Sequence, residues 1–184
     1  NKKIINKISL LAKLAGFKSM DTPALEFSEV LLGSGAETDK QLYRFKDNGD
    51  RDVALRFDLT VPFARFASEN SGKLPLPWKR LQVGPVWRAE KPQKGRYREF
   101  YQCDLDIIGI NSYAADLEIL MTLQALLNAV SPVGFTLKIG NRKLLSGLIE
   151  KFTKTHDKKK TEKVLIWLDK LQKIGVEKTR DGLL

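Results

Sequence analysis

Cysteine and histidine are almost missing from this chain, with one of each among 184 residues. A lone Cys103 rules out an internal disulfide and fits a reducing compartment such as the cytoplasm. With His156 the sole imidazole, a Cys/His zinc site lacks ligands, and no protein-ligated metal is expected. No apolar run approaches the ~18 residues of a membrane span, so no membrane partner is expected. The opening Asn1-Lys2-Lys3-Ile4 has spaced apolar residues and no small-residue cleavage site, unlike a secretory signal. Internal repeats are missing, as is the strand–helix alternation of a doubly wound sheet. Acidic residues are in deficit: 22 against 32 Lys and Arg, a net charge of +10. That balance suits a polyanion such as nucleic acid or a nucleotide, or serves solubility alone.

What is present suits one ordinary domain with a small appendage; 42% hydrophobic residues suffice for a core. Ile4, Ile8, Leu11 and Ala15 repeat at helical spacing, and Gly16 is a good stop. Pro23 bars a regular helix in residues 17–32, where an extended piece, a bend and a short helix are expected. Asn48-Gly49 in the turn-rich residues 33–50 predicts a hairpin between "LYRFK" and "VALRF". "VALRFDLT" is expected to be a strand, 61–70 a helix and "SGKLPLP" a loop. Then "KRLQVGPVWRAE" and "RYREFYQCDLDIIGI" read as two strands joined by "KPQKG". Residues 113–130 predict a helix capped by Ser112 and stopped at Ser131-Pro132. "FTLKIG" predicts a strand, "RKLLSGLIEKF" a helix capped by Asn141, and "VLIWLDKLQKIG" an amphipathic helix. The lysine-rich "TKTHDKKKTEK" marks a boundary near 150–157. Long hairpins with flanking helices give an α+β class with an antiparallel sheet.

Alternation along residues 96–107 separates two faces. Tyr97, Tyr101, Cys103, Leu105 and Ile107 make an expected core face. Arg96, Arg98, Phe100, Gln102, Asp104 and Asp106 make the opposite one. Residues 55–60 split likewise, with Leu55, Phe57 and Leu59 against Arg56, Asp58 and Thr60. A polar strand face is often merely wet. Gln, Asp, Arg and a lone Phe also suit a ligand floor. On that reading Arg88, Arg96 and Lys94, around "KPQKG", can grip phosphates with forked bonds. Phe100 offers a base a platform. Asp58 and Asp106 can hold a cation, and Gln102 and Thr60 can orient a neutral or carboxylate group. His156 reads as solvated surface, "KKKTEK" equally as a solvated helix start or a contact for nucleic-acid phosphates, and Cys103 and the three tryptophans as packing.

"RAEKPQKGRYREFYQCDLDIIG" resembles motif 2 of the class II aminoacyl-tRNA synthetases in its histidyl form. "DTPALE" is similar to motif 1, "ALRFDLTVPFAR" to the histidyl-type amino-acid-binding strand, and "NRKLLSGLIE" to the segment leading to a helical insertion. The resemblance spans nearly the whole chain. It implies an incomplete class II catalytic core over residues 1–152 and the start of a helical insertion domain over 153–184.

It also implies roles. Arg88 would bind the ATP α-phosphate and the histidine carboxyl group. Glu90 would face the adenine amino group, Arg96 a phosphate, and Phe100 would stack on adenine. Asp58 and Thr60 would take the α-amino group, Gln102 the amino-acid backbone, and Asp106 the imidazole. Implied partners are histidine, ATP with substrate-bound Mg2+, tRNA(His) and a second copy meeting at motif 1. Motif 3, the second histidine-recognition segment and the anticodon-binding domain do not occur in these residues, so inactivity alone is expected. The start on Asn1 and the end on Leu184 without a polar tail fit a segment of a longer protein. Two other readings share the fold: a regulatory subunit of ATP phosphoribosyltransferase, against which the complete motif 2 loop argues, and a non-catalytic RNA-binding paralogue.

Overall fold

The computed structural model describes residues 2–33, 39–154 and 156–183. Backbone packing divides them into two units, 1–135 and 136–184. The compositional change near 150–157 falls inside the second.

The first unit opens with helix α1 (Lys2–Leu14), followed by β1 (Lys18–Ser19), β2 (Leu25–Phe27) and α2 (Ser28–Leu31). Gly16, at φ 86, ends α1 by letting the Phe17 N–H return to the Ala12 carbonyl at 2.9 Å. The expected extended piece, bend and short helix are all present. Of the expected turn-rich stretch, residues 34–38 lie outside the described residues. Next come β3 (Arg44–Lys46), β4 (Asp52–Leu55), α3 (Thr60–Glu69), β5 (Trp78–Trp87), β6 (Glu99–Ile108) and α4 (Tyr113–Val130). The β3–β4 hairpin forms as expected. Its loop is organised by Asp47, whose Oδ1 accepts from the Gly49 and Arg51 N–H groups at 2.9 and 3.0 Å.

Among the described residues two three-stranded sheets result, ordered β1-β5-β6 and β2-β4-β3. Every pairing is antiparallel except β1 with β5. The observed class is therefore the expected one, antiparallel sheet flanked by helices. Ala12, Phe17 and Leu81 form one core, joined by Leu105 and Ile107; Leu31, Leu42 and Ala54 form another. Ser112 Oγ accepts the Ala114 N–H at 3.2 Å, as expected of a cap on α4.

The second unit contains α5 (Arg142–Thr153), α6 (Lys158–Ile174) and α7 (Val176–Leu183). Asn141 caps α5 through a bond from the Leu144 N–H at 3.0 Å. For Val176–Leu183 the resemblance implied only the helical character of 153–184, with no separate helix assigned.

Four expectations need correction. Residues 135–140 are not a strand; none of the described residues pairs with them, and an unpaired strand leaves its N–H and C=O groups unmatched. The strand expected over 53–60 stops at Leu55, and Thr60 already opens α3. There Asp58 Oδ1 accepts the Val61 N–H at 2.9 Å, and such local bonding competes with a ladder. Strands β5 and β6 are shorter than expected, so Arg88, Glu90 and Arg96 lie on the connecting loop, where alternation does not apply. Finally, Tyr97 and Tyr101, expected in the core, are 70% and 61% exposed, and Cys103 is exposed too. Only the far half of that face, Leu105 and Ile107, meets the Ala12–Phe17–Leu81 core.

Candidate active site

The β5–β6 register builds the site floor. Directly opposed residues of an antiparallel pair share a face. Arg80 therefore sits beside Asp106, Gln82 beside Asp104, Gly84 beside Gln102 and Val86 beside Phe100. The row from Phe100 to Asp106 spans about 20 Å at strand rise. One side of the hairpin is thus polar for most of its length. Its β5 half is sealed from water: Arg80, Gln82 and Val86 are at most 1% exposed.

At the far end three carboxylates gather around one guanidinium. Arg80 Nε donates to Asp106 Oδ2 at 2.8 Å, and its Nη2 lies 2.6 Å from the same oxygen. Nη2 also donates to the Leu59 carbonyl at 3.2 Å, and Nη1 to Gln82 Oε1. The Arg80 guanidinium carbon lies 4.2 Å from the centre of the Phe63 ring. Thr60 Oγ1 donates to Asp104 Oδ2 at 3.4 Å. Burial foremost pushes the Asp104 carboxyl above its ordinary range; Arg80 opposes that, while Asp106 and Asp58 add to it. Burial also lowers the Arg80 guanidinium, against the pull of the three acids, but an arginine keeps its charge. Three acids to one base leave this end anionic, a seat for a cation.

The other end is cationic. Loop residues 88–98 carry Arg88, Lys91, Lys94, Arg96 and Arg98 against the single acid Glu90. The tip is a tight turn, with the Arg96 N–H donating to the Gln93 carbonyl at 2.9 Å. Arg96 pairs with Glu90 at 3.1 Å while 57% exposed, and Arg88 Nε donates to the Phe57 carbonyl at 3.3 Å. The Arg88 guanidinium carbon lies 4.3 Å from the Phe57 ring centre and 5.0 Å from that of Phe100. Two rings thus hold its fork at the head of the floor. Between the two ends stands Gln102, whose buried Oε1 has no hydrogen-bond partner among the described residues. Buried amide oxygens are nearly always satisfied, so this one marks a hydrogen-bond position left unfilled among the described residues.

Fold and structure thus bring Asp58, Thr60, Gln102 and Asp106 to one floor, with Arg88 and Phe100 at its head. Glu90 and Arg96 sit together on the loop. Arg56, expected beside Asp58 and Thr60, is instead 2% exposed and structural. Its Nε donates to the Pro85 carbonyl at 2.9 Å and its Nη1 to the Thr22 carbonyl at 2.5 Å. Sequence reasoning missed Arg80 and Gln82 altogether. The signal was available: Arg80, Gln82 and Gly84 alternate with Leu81, Val83 and Pro85, the split already used on β6.

A hairpin of this kind, with a basic loop and a polar floor flanked by helices, defines part of a class II aminoacyl-tRNA synthetase catalytic fold. The histidyl-tRNA synthetase of Nostoc sp. PCC 7120 superposes with TM-score 0.82 at 28% identity, over 98% of this chain and 40% of that one. A Bacillus halodurans C structure described as an ATP phosphoribosyltransferase regulatory subunit/histidyl-tRNA synthetase gives TM-score 0.77 at 24% identity, a likeness of fold. It covers 91% of this chain and 43% of that one. The histidine–tRNA ligase of Rhodopirellula baltica is 53% identical over 170 residues, 92% of this chain. The family model for histidyl-tRNA synthetase matches residues 1–178. The chain belongs to the histidyl-tRNA synthetase family. It spans 38% of the length of the Rhodopirellula baltica relative. No helix among the described residues is long and apolar enough to cross a membrane.

Proposed function

We propose that this chain supplies the motif 1 and motif 2 part of the catalytic domain of a histidine–tRNA ligase, residues 1–152, and begins a helical insertion domain at 153–184. The carrying observation is the two-ended floor: three acids around Arg80 at one end, a basic loop and the ring-held Arg88 at the other. Histidine and ATP together match that charge order. Asp58 and Thr60 take the α-ammonium group, Asp106 the imidazole, and Gln102 the amino-acid backbone through its unpaired Oε1. Phe100 stacks on adenine, Glu90 meets the adenine amino group and Arg96 a phosphate.

The reaction follows from that order. The histidine carboxylate attacks the α-phosphorus of ATP, which arrives with Mg2+ on its phosphates, and pyrophosphate leaves. Arg88 spends Nε on Phe57, so its terminal amines bridge the α-phosphate and the carboxylate as charge builds at phosphorus. A terminal ribose hydroxyl of tRNA(His) then attacks the histidyl carbonyl carbon and AMP departs. The protein's part is orientation and charge stabilisation. The working form is a cytoplasmic homodimer joined through the motif 1 region, and this segment alone is inactive.

Histidine-dependent ATP–pyrophosphate exchange by the full-length protein tests the reading. Exchange with histidine and not with other amino acids supports it. Absence of exchange, with binding to an ATP phosphoribosyltransferase instead, would establish the regulatory reading.

A further inference from the structure

Arg80 is the largest side chain buried in the first unit at 0% exposure, and no substrate can reach it. Yet its bonds run to both halves of the amino-acid end. One set fixes Asp106 Oδ2, at 2.8 Å from Nε and 2.6 Å from Nη2. The other reaches the Leu59 carbonyl at 3.2 Å, in the residue between Asp58 and Thr60. Thr60 Oγ1 also reaches β6 directly, at Asp104 Oδ2 and 3.4 Å, but Arg80 is the side chain whose bonds end on Asp106 and on the turn. Gln82, which accepts from Arg80, is itself fixed: its Nε2 donates to Asp21 Oδ1 at 2.7 Å and to Thr22 Oγ1 at 3.0 Å. The fork is therefore held from behind as well as in front.

Resting on the function proposed above, we infer that Arg80 is a positioning residue for histidine, locking the Asp58–Thr60 turn to Asp106 and leaving Asp106 a single free oxygen for the imidazole. Only a planar fork can do this. Nε and Nη2 diverge from one carbon, so one carboxylate oxygen and one carbonyl are held at fixed separation. A lysine ammonium would keep the charge and lose the span. Arg80 also sets the local charge. The titratable groups around it are Asp104 and Asp106 from β6 and Asp58 from the turn before α3, with the Phe63 ring packed on the guanidinium. Arg80 is the charged group that opposes the upward push of burial on the half-buried Asp104 carboxyl, with a Gln102 hydrogen bond acting in the same direction.

Two variants of the full-length protein separate geometry from charge. Arg80→Lys is expected to raise KM for histidine about tenfold in the exchange assay and to leave KM for ATP within about twofold. The acid limb of its pH profile for kcat/KM of histidine should stay near that of the wild type. In Arg80→Met that limb is expected to move to higher pH, because Asp104 then holds its proton longer. Equal rises of both KM values in Arg80→Lys, or unchanged KM with only a lower melting temperature, would overturn the inference. So would a limb that moves alike in both variants. If Arg80→Met does not fold, the KM split in Arg80→Lys decides. Lack of histidine-dependent exchange by the wild type would sink the proposed function itself, a different result from any of these.

Discussion

The guanidinium of Arg56 crosses Gly84 so closely that a Cβ at position 84 would lie 2.6 Å from Arg56 Nη2. Arg56 cannot swing aside, because Nε is held by the Pro85 carbonyl at 2.9 Å and Nη1 by the Thr22 carbonyl at 2.5 Å. Gly84 lies opposite Gln102 in the register, so this contact underlies the middle of the floor. Gly84→Ala is expected to destabilise the first unit by about 1–3 kcal/mol, the usual cost of overpacking. Urea unfolding measures it; a loss below ~0.5 kcal/mol would mean that Arg56 moves freely.

Arg56 itself ties the "DTP" segment to β5. Arg56→Met keeps much of the bulk but leaves the Pro85 and Thr22 carbonyls without this donor. The expected loss is about 2–4 kcal/mol, from buried acceptors left unpaired. Arg56→Lys should recover only part of it. Full recovery by lysine would show that charge, not the fork, matters here.

Asp106 is the carboxylate assigned to the imidazole. Asp106→Ala in the full-length protein should weaken histidine binding by about 10- to 100-fold and ATP binding by much less, since it removes the imidazole's carboxylate and the Arg80 ion pair at the amino-acid end only. Calorimetric titration with each ligand reads this directly. Equal weakening of both would refute the assignment.

Phe100 shares one ring between Arg88, at 5.0 Å, and the proposed adenine. Phe100→Ala is expected to raise KM for ATP about tenfold, in line with the ~1–3 kcal/mol of a stacked base. Phe100→Tyr should stay close to the wild type. An Ala variant whose KM for ATP is normal while kcat falls would reassign the ring to Arg88 alone.

Asp104 gives a pH signature. Its carboxyl is raised above the unfolded value of 3.8, by burial first. A raised acid favours folding while protonated, below that unfolded value, and this contribution is lost as pH rises through the folded value. The ionised, half-buried carboxylate is therefore a cost at neutral pH. Asp104→Asn keeps an acceptor for Thr60 and should raise the melting temperature at pH 7, with the gain vanishing as pH falls below about 4. A gain that persists unchanged in acid would show that the carboxylate's charge is not its source.

Much of the site was legible because period two survives wherever a strand is paired along its length. Gln102, Asp104 and Asp106 share a face with Phe100, as alternation over 96–107 required. Alternation failed at 55–60, where the backbone turns into α3 and Arg56 points into the protein while Asp58 bonds a helix N–H. It failed again at Tyr97 and Tyr101, because an apolar strand face is a core only where another element covers it. The "FTLKIG" stretch has strand composition without a strand partner among the described residues, and composition carries no information about partners.

By itself the sequence determined α1, α4 and α5, whose 3.6-residue spacing and, for the last two, caps at Ser112 and Asn141 are local properties. It also determined the β5–β6 hairpin, the polar row on β6, the basic loop and, through long matching motifs, the family. Only the tertiary structure decided that Arg80 is the cation among three acids, that Arg88 lies between Phe57 and Phe100, and that Arg56 is a brace over Gly84. Each of these joins residues from separate segments of the chain. Such pairings depend on strand register and on burial, and a buried guanidinium is bearable only once its partners have been brought around it.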